Sequence, residues 1–179
     1  MSAAISPVPM TPRRPLFLLL ALLVGFAALV VFTWPQLPER MATHFGAGGQ
    51  ADGWMSRAVG AWGLYFTAVG VAGFVVGMMY AMRFFPPNTM NVPNRDYWFA
   101  PEHREGSFAF LLRWGLWFAC WKVALAAALY CLIVQANLTT PPRLDNGTVG
   151  GLSGAFLAGT AAWIVALLVH FYRKPTIPR

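Results

Sequence analysis

Residues 15–34 read PLFLLLALLVGFAALVVFTW, without a single charge. About 20 apolar residues of helix cross the ~30 Å hydrocarbon core of a bilayer, whereas the apolar core of a secretory leader runs only about 7–15. The stretch therefore reads as an uncleaved membrane span, despite a weak cleavage-like Ala27-Ala28-Leu29 inside it. Three further blocks of the same kind follow at about 59–82, 108–134 and 152–172. The chain as a whole is 58% hydrophobic and 11% charged, against about 45–50% and about 25% in soluble domains. A water-soluble fold of 179 residues has no means of covering that much apolar surface. The expectation is an all-α integral membrane protein, a four-transmembrane-helix bundle.

Charge sets the orientation. Arg13 and Arg14 precede the first block, Arg83, Arg95 and Arg104 lie between the second and third, and Arg173, Lys174 and Arg179 follow the fourth. The opposite side has Arg40, Arg57 and Arg143. An excess of Lys and Arg marks the cytoplasmic face, so both termini are expected inside (N-in/C-in). The organisation is then a flexible cytoplasmic tail over 1–14, a membrane domain over 15–172 and a cytoplasmic tail over 173–179. The membrane domain has an outer loop at 35–57 and an inner loop at 83–107. The expected location is the inner (cytoplasmic) membrane, multi-pass. The net charge of +7 flanks the apolar blocks, which points to lipid headgroups and not to nucleic acid. Gly63, Gly70 and Gly77 recur every seven residues with Gly73 between them, and Gly151, Ala155 and Gly159 at every fourth. Such small-residue faces favour close helix contact, within the bundle or in a homo-oligomer.

Ordinary catalysis finds no support. There is no His-Glu-x-x-His, no Gly-x-Ser-x-Gly and no phosphate loop, so a non-enzymatic protein without cofactor or metal is expected. Cys120 and Cys131 are separated by roughly 16 Å of helix rise, beyond disulfide reach.

Two loops carry information. The outer one, Leu37 to Arg57, reads LPERMATHFGAGGQADGWMSR. It has apolar anchors at Leu37, Met41 and Phe45, a turn at Gly46, Gly48 and Gly49, a second turn at Asp52-Gly53, and Trp54 re-entering the interface. His44 and Asp52 form a candidate polar site facing outward, with Trp54 and Arg57 beside it. The competing reading is that His44 and Asp52 merely brace the turns. Two ligands without a third are weak grounds for a metal. The inner loop, Asn91 to Glu105, offers Asn94, Arg95, Asp96 and Trp98 as candidate contacts for a cytoplasmic partner. Pro101, Glu102 and Glu105 suit a helix start before the membrane.

The outer stretch resembles the SdpI-like bacterial membrane protein family, the domain-of-unknown-function family numbered 1648. The resemblance rests on Leu37-Pro38, Met41, His44-Phe45, Gly49, Asp52-Gly53-Trp54 and Arg57. Asn91-x-Pro93-Asn94-Arg95-Asp96-Tyr97-Trp98 is similar to a stretch in some members. It implies a role in recognising a peptide or envelope signal, as in immunity to a secreted peptide toxin or sequestration of a repressor at the membrane.

Lys122 is the unusual residue of the third block. Phe118, Ala119, Leu125, Ala126 and Gly115 share its face, which is expected to point into the bundle. An unpaired lysine at that depth costs at least about 2.5–3.5 kcal/mol on insertion scales. The acids Glu39, Asp52, Asp96, Glu102, Glu105 and Asp145 all lie in loops. Its partner is thus water, an oxygen acceptor, a dipping loop acid or another subunit's acid, unless it snorkels. Arg113, near the cytoplasmic boundary, reads as snorkelling. An alternative function follows: a transport or assembly subunit using Lys122 as an intramembrane contact.

Overall fold

The computed structural model describes residues 12–173. Most of the 1–14 and 173–179 tails lies outside them. The chain is mostly helical. Four helices are long and apolar enough to cross a membrane: α1 (Arg13–Thr33), α2 (Arg57–Ala81), α4 (Arg104–Asn137) and α5 (Asn146–Tyr172). A short α3 (Arg95–Trp98) lies in the inner loop. Arg13 and Arg14, read as tail, form the first turn of α1.

The 35–57 loop departs from the all-α expectation. It folds as an antiparallel hairpin, β1 (Arg40–Phe45) against β2 (Ala51–Ser56). Only 46–50 turns. Gly46 N–H donates to Gln50 O, and Gly49 sits at φ +73°, where a side chain is strained. Asp52-Gly53, expected as a second turn, lies inside β2. Gly53 faces His44 where the register shifts, and a Cβ there would come within 2.7 Å of the His44 Cβ. The glycine serves close strand approach at an irregularity, not chain reversal.

The core belongs to three helices. Phe26 and Val30 of α1, Ala61, Ala68 and Ala72 of α2, and Leu116, Ala119, Val123 and Tyr130 of α4 are buried together. Phe26 meets the rings of Tyr65 and Tyr130 at 5.5 Å each, and the Tyr130 hydroxyl is 2.7 Å from Thr33 Oγ1. Gly115 lets α4 approach α2: a Cβ there would come within 2.6 Å of Met79. Met41 and Leu37 close the hairpin end of this core.

The glycine repeat of α2 does not pack inside the chain. A Cβ at Gly63, Gly70, Gly73 or Gly77 would meet nothing within 4 Å. In the fourth span, Gly151 likewise meets nothing, and only Gly159 is a contact, under the Trp121 ring. α5 leans on α4 through aromatic rings: Phe156 with Trp121, Trp163 with Phe118 and Trp114, and His170 with Phe110. Of the whole helix only Phe171 is buried.

Candidate functional site

The hairpin is held from three sides. At its base, Arg57 Nη1 donates to Trp34 O (3.3 Å) and Leu37 O (3.2 Å), and its guanidinium lies 4.9 Å from the Trp34 ring centroid. Ser56 Oγ accepts from Val59 N–H and caps α2. Along β1, the carboxamide of Asn137, the last residue of α4, meets Ala42. Ala42 N–H donates to Asn137 Oδ1 at 2.8 Å, and Asn137 Nδ2 donates to Ala42 O at 2.9 Å and to Ile133 O at 2.8 Å. Both residues are buried. At the tip, Leu144 N–H donates to Gly49 O at 2.8 Å, Asn146 Nδ2 donates to Ala47 O, and Gln50 bridges to Arg143. An open cleft of about 650 Å³ lies there between Gly48 and the 139–146 segment.

This bracing has a consequence for the strand edges. In an antiparallel pair, a residue that exchanges ladder bonds directs both its N–H and C=O at the partner strand. Ala42 directs both at Asn137, so the Ala42–Trp54 pair exchanges none, and the N–H and C=O of Trp54 face the far side of β2. Among the described residues the sheet has only these two strands. β1 is therefore occupied by Asn137, while β2 presents an edge with no strand beside it.

The structure brings His44 and Asp52 together across the hairpin, Nδ1 to Oδ1, at 2.5 Å, with side chains 76% and 53% exposed. Trp54 and Met55 are also exposed. Among the described residues no third His, Cys, Asp or Glu completes a metal-binding group with the pair. Asp145 caps α5: its carboxylate accepts from the amide and hydroxyl of Thr148, and these bonds hold its pKa below the ordinary carboxylate value.

The inner candidates divide. Asn94, in the left-handed region at φ 52°, donates to Phe171 O and Tyr172 O at 3.0 Å each. Trp98 Nε1 donates to Phe171 O at 2.8 Å, and its ring stacks on His170. These two residues satisfy the orphan carbonyls at the end of α5. Arg95 pairs with Asp96 at 3.1 Å and donates to Asn88 O, and Asp96 faces solvent.

Lys122 is half-buried, its ammonium 4.4 Å from the ring centroid of Phe156 on α5. Among the described residues it makes no ion pair; the acceptor is an aromatic face. Arg113 is half-buried near His170. Sequence reasoning missed Asn137, Asn146 and Phe156. No local pattern marks Asn137 or Asn146, and their partners on the hairpin lie 95 and 99 positions away.

No curated protein and no solved structure matches the chain. Residues 17–69, which run from α1 through the hairpin into the first half of α2, match the family model described as "Domain of unknown function (DUF1648)".

Proposed function

We propose that this multi-pass membrane protein is a non-enzymatic receptor whose outer hairpin takes an extended peptide as a third strand along β2. The unpaired β2 edge, with the outward N–H and C=O of Trp54, carries this reading. Main-chain bonds to such an edge supply affinity, and flanking side chains supply selectivity. His44, Asp52 and Trp54 flank it, and Arg57 fixes its base. The N-in/C-in orientation places the hairpin outside the cytoplasmic membrane, where secreted peptides and envelope signals act. The inner loop then faces the cytoplasm, with Arg95 and Asp96 offered to a partner. α5 touches both loops, through Asn146 and Leu144 at one end and Phe171 at the other, so a tilt of the hairpin tip reaches the inner loop along one rigid element.

The test uses cells that make the chain and cells that lack it, challenged with secreted antimicrobial peptides. Protection or an altered envelope-stress response is expected with the chain present and lost in Trp54→Pro, which removes an outward N–H without removing a ladder bond. His44→Ala is expected to weaken it. Equal sensitivity of all strains would sink the reading.

One observation favours a second reading, an assembly subunit. Gly150, Gly151 and Gly154 of α5 face away from the bundle with nothing within 4 Å of a Cβ, and Lys122 sits on the same α4–α5 pair. Another membrane helix, or a second copy, fits such a face. Purification of a larger complex that Gly154→Leu disperses would favour it; a monomer indifferent to Gly154→Leu and Lys122→Leu would not.

A further inference from the structure

A groove of about 550 Å³ runs between α1 and α2 and is floored by α4. Its volume is in the range of small-molecule sites, about 300–1,000 Å³. Leu16 and Leu23 form one wall, Ala72, Gly73 and Gly77 the other, and Leu116 the floor. Along α2 it extends from Val69 to Tyr80, about 16 Å of helix rise. That is about half the ~30 Å hydrocarbon core, the depth of one leaflet. The two glycines make the groove: neither faces a neighbour within 4 Å of a Cβ.

The rim is charged at one end only. Tyr80 lines the groove there, and the Arg83 guanidinium lies 4.2 Å from its ring centroid. Pro12 lines the same end, followed by Arg13 and Arg14, both exposed on the first turn of α1. Among the described residues none of the three arginines has a carboxylate in ion-pair reach. A leaflet-deep apolar slot ending in basic side chains complements one ligand chemistry, an acyl chain with an anionic head.

We infer that this groove holds one anionic phospholipid, its acyl chain against Gly73 and Gly77 and its phosphate at Arg13, Arg14 and Arg83. The lipid completes the α1–α2 contact on the face that the protein leaves open, and its head marks the arginine-rich end of the bundle. This inference does not depend on the peptide reading of the hairpin.

The full chain, purified in mild detergent and exchanged into nanodiscs of mixed phosphatidylglycerol and phosphatidylcholine, tests it by native mass spectrometry. The expected result is one retained phosphatidylglycerol per chain. Gly73→Leu with Gly77→Leu fills the slot from positions where a Cβ meets nothing within 4 Å and is expected to abolish retention, while Gly63→Leu, equally open at the Cβ but outside the groove, keeps it. Arg83→Gln is expected to lower the preference for phosphatidylglycerol over phosphatidylcholine about fivefold. Retention unchanged in the double variant, lost equally in Gly63→Leu, or indifferent to headgroup would overturn the site. So would crosslinks that seat residues 1–11 in the groove, or a dimer that Gly73→Leu disperses, with no lipid retained. Arg83→Gln lies outside the helix packing, so its readout stands even where the double variant fails to fold.

Discussion

α4 and α5 are both long, apolar and adjacent, yet they are held in opposite ways. α4 is buried along its length, from Phe108 to Val134, and forms the common wall of the three-helix core. α5 is gripped at its ends. Its first turn is tied to the hairpin tip by Asn146 and Leu144, and its last turn to the inner loop by Asn94 and Trp98. Between them it meets α4 through stacked rings and the Lys122–Phe156 contact. Apolar composition therefore tells a membrane helix from a soluble one, but not a core helix from a peripheral one. In lipid, burial against protein carries no general hydrophobic gain, and specific packing and polar contacts decide.

The sharpest way to break this contrast is at Asn137. Asn137→Leu leaves the buried N–H and C=O of Ala42 without partners, at about 1–3 kcal/mol each. A loss of about 2–6 kcal/mol is expected, seen as a lower denaturation midpoint of the whole bundle in detergent. An effect confined to α5 would refute the division. Gly49→Ala comes next. The left-handed backbone alone costs about 1–2 kcal/mol, and the new Cβ would meet Leu144 O at 2.2 Å. Hydrogen exchange is expected to quicken at Ala47–Gln50 and the first turn of α5 while α1, α2 and α4 stay protected. Asn94→Gly keeps the left-handed conformation and removes only the amide. It is expected to cost about 1 kcal/mol and to quicken amide exchange in the last turn of α5. Asp145→Ala has the smallest effect, fraying at the start of α5. The carboxylate of Asp145 is held below its ordinary pKa. Its contribution is thus present above the usual carboxylate range and is lost as pH falls through the depressed folded value. Acid should fray the wild-type first turn, and the alanine variant should lose that dependence in amide exchange.

The spans were legible because a bilayer demands an unbroken apolar run, and such runs survive any rearrangement of tertiary contacts. The hairpin was not. Met41 and Phe45, four apart, suggest anchors on a surface-lying segment, and Asp52-Gly53 carries the composition of a turn. What overrides the first is distant, since Asn137 fixes β1 from 95 positions away; what overrides the second is the strand pairing itself, in which Gly53 faces His44. The His44–Asp52 pair was legible from spacing across a glycine-rich turn. The partner of Lys122 was not: water, oxygen acceptors and carboxylates are the groups an ammonium is expected to meet, and the acceptor is the π-face of Phe156, one of fourteen phenylalanines. Asn94 and Trp98 were singled out as partner contacts, and the structure spends them on the end of α5.

The 34 residues of α4 span about 50 Å against a hydrocarbon core of ~30 Å, so a bilayer crossed by α4 leaves part of the helix beyond the hydrocarbon. Asn137 is its last residue, so the N-in/C-in arrangement proposed above would set the floor of the hairpin close to the lipid–water boundary and not far above it. Molecules that adsorb to the bilayer reach that height by sliding in the plane of the membrane, a two-dimensional search. If the hairpin takes a peptide as proposed, amphipathic, surface-partitioning peptides would be delivered to the β2 edge already concentrated and flattened, whereas strictly soluble ones would descend from bulk.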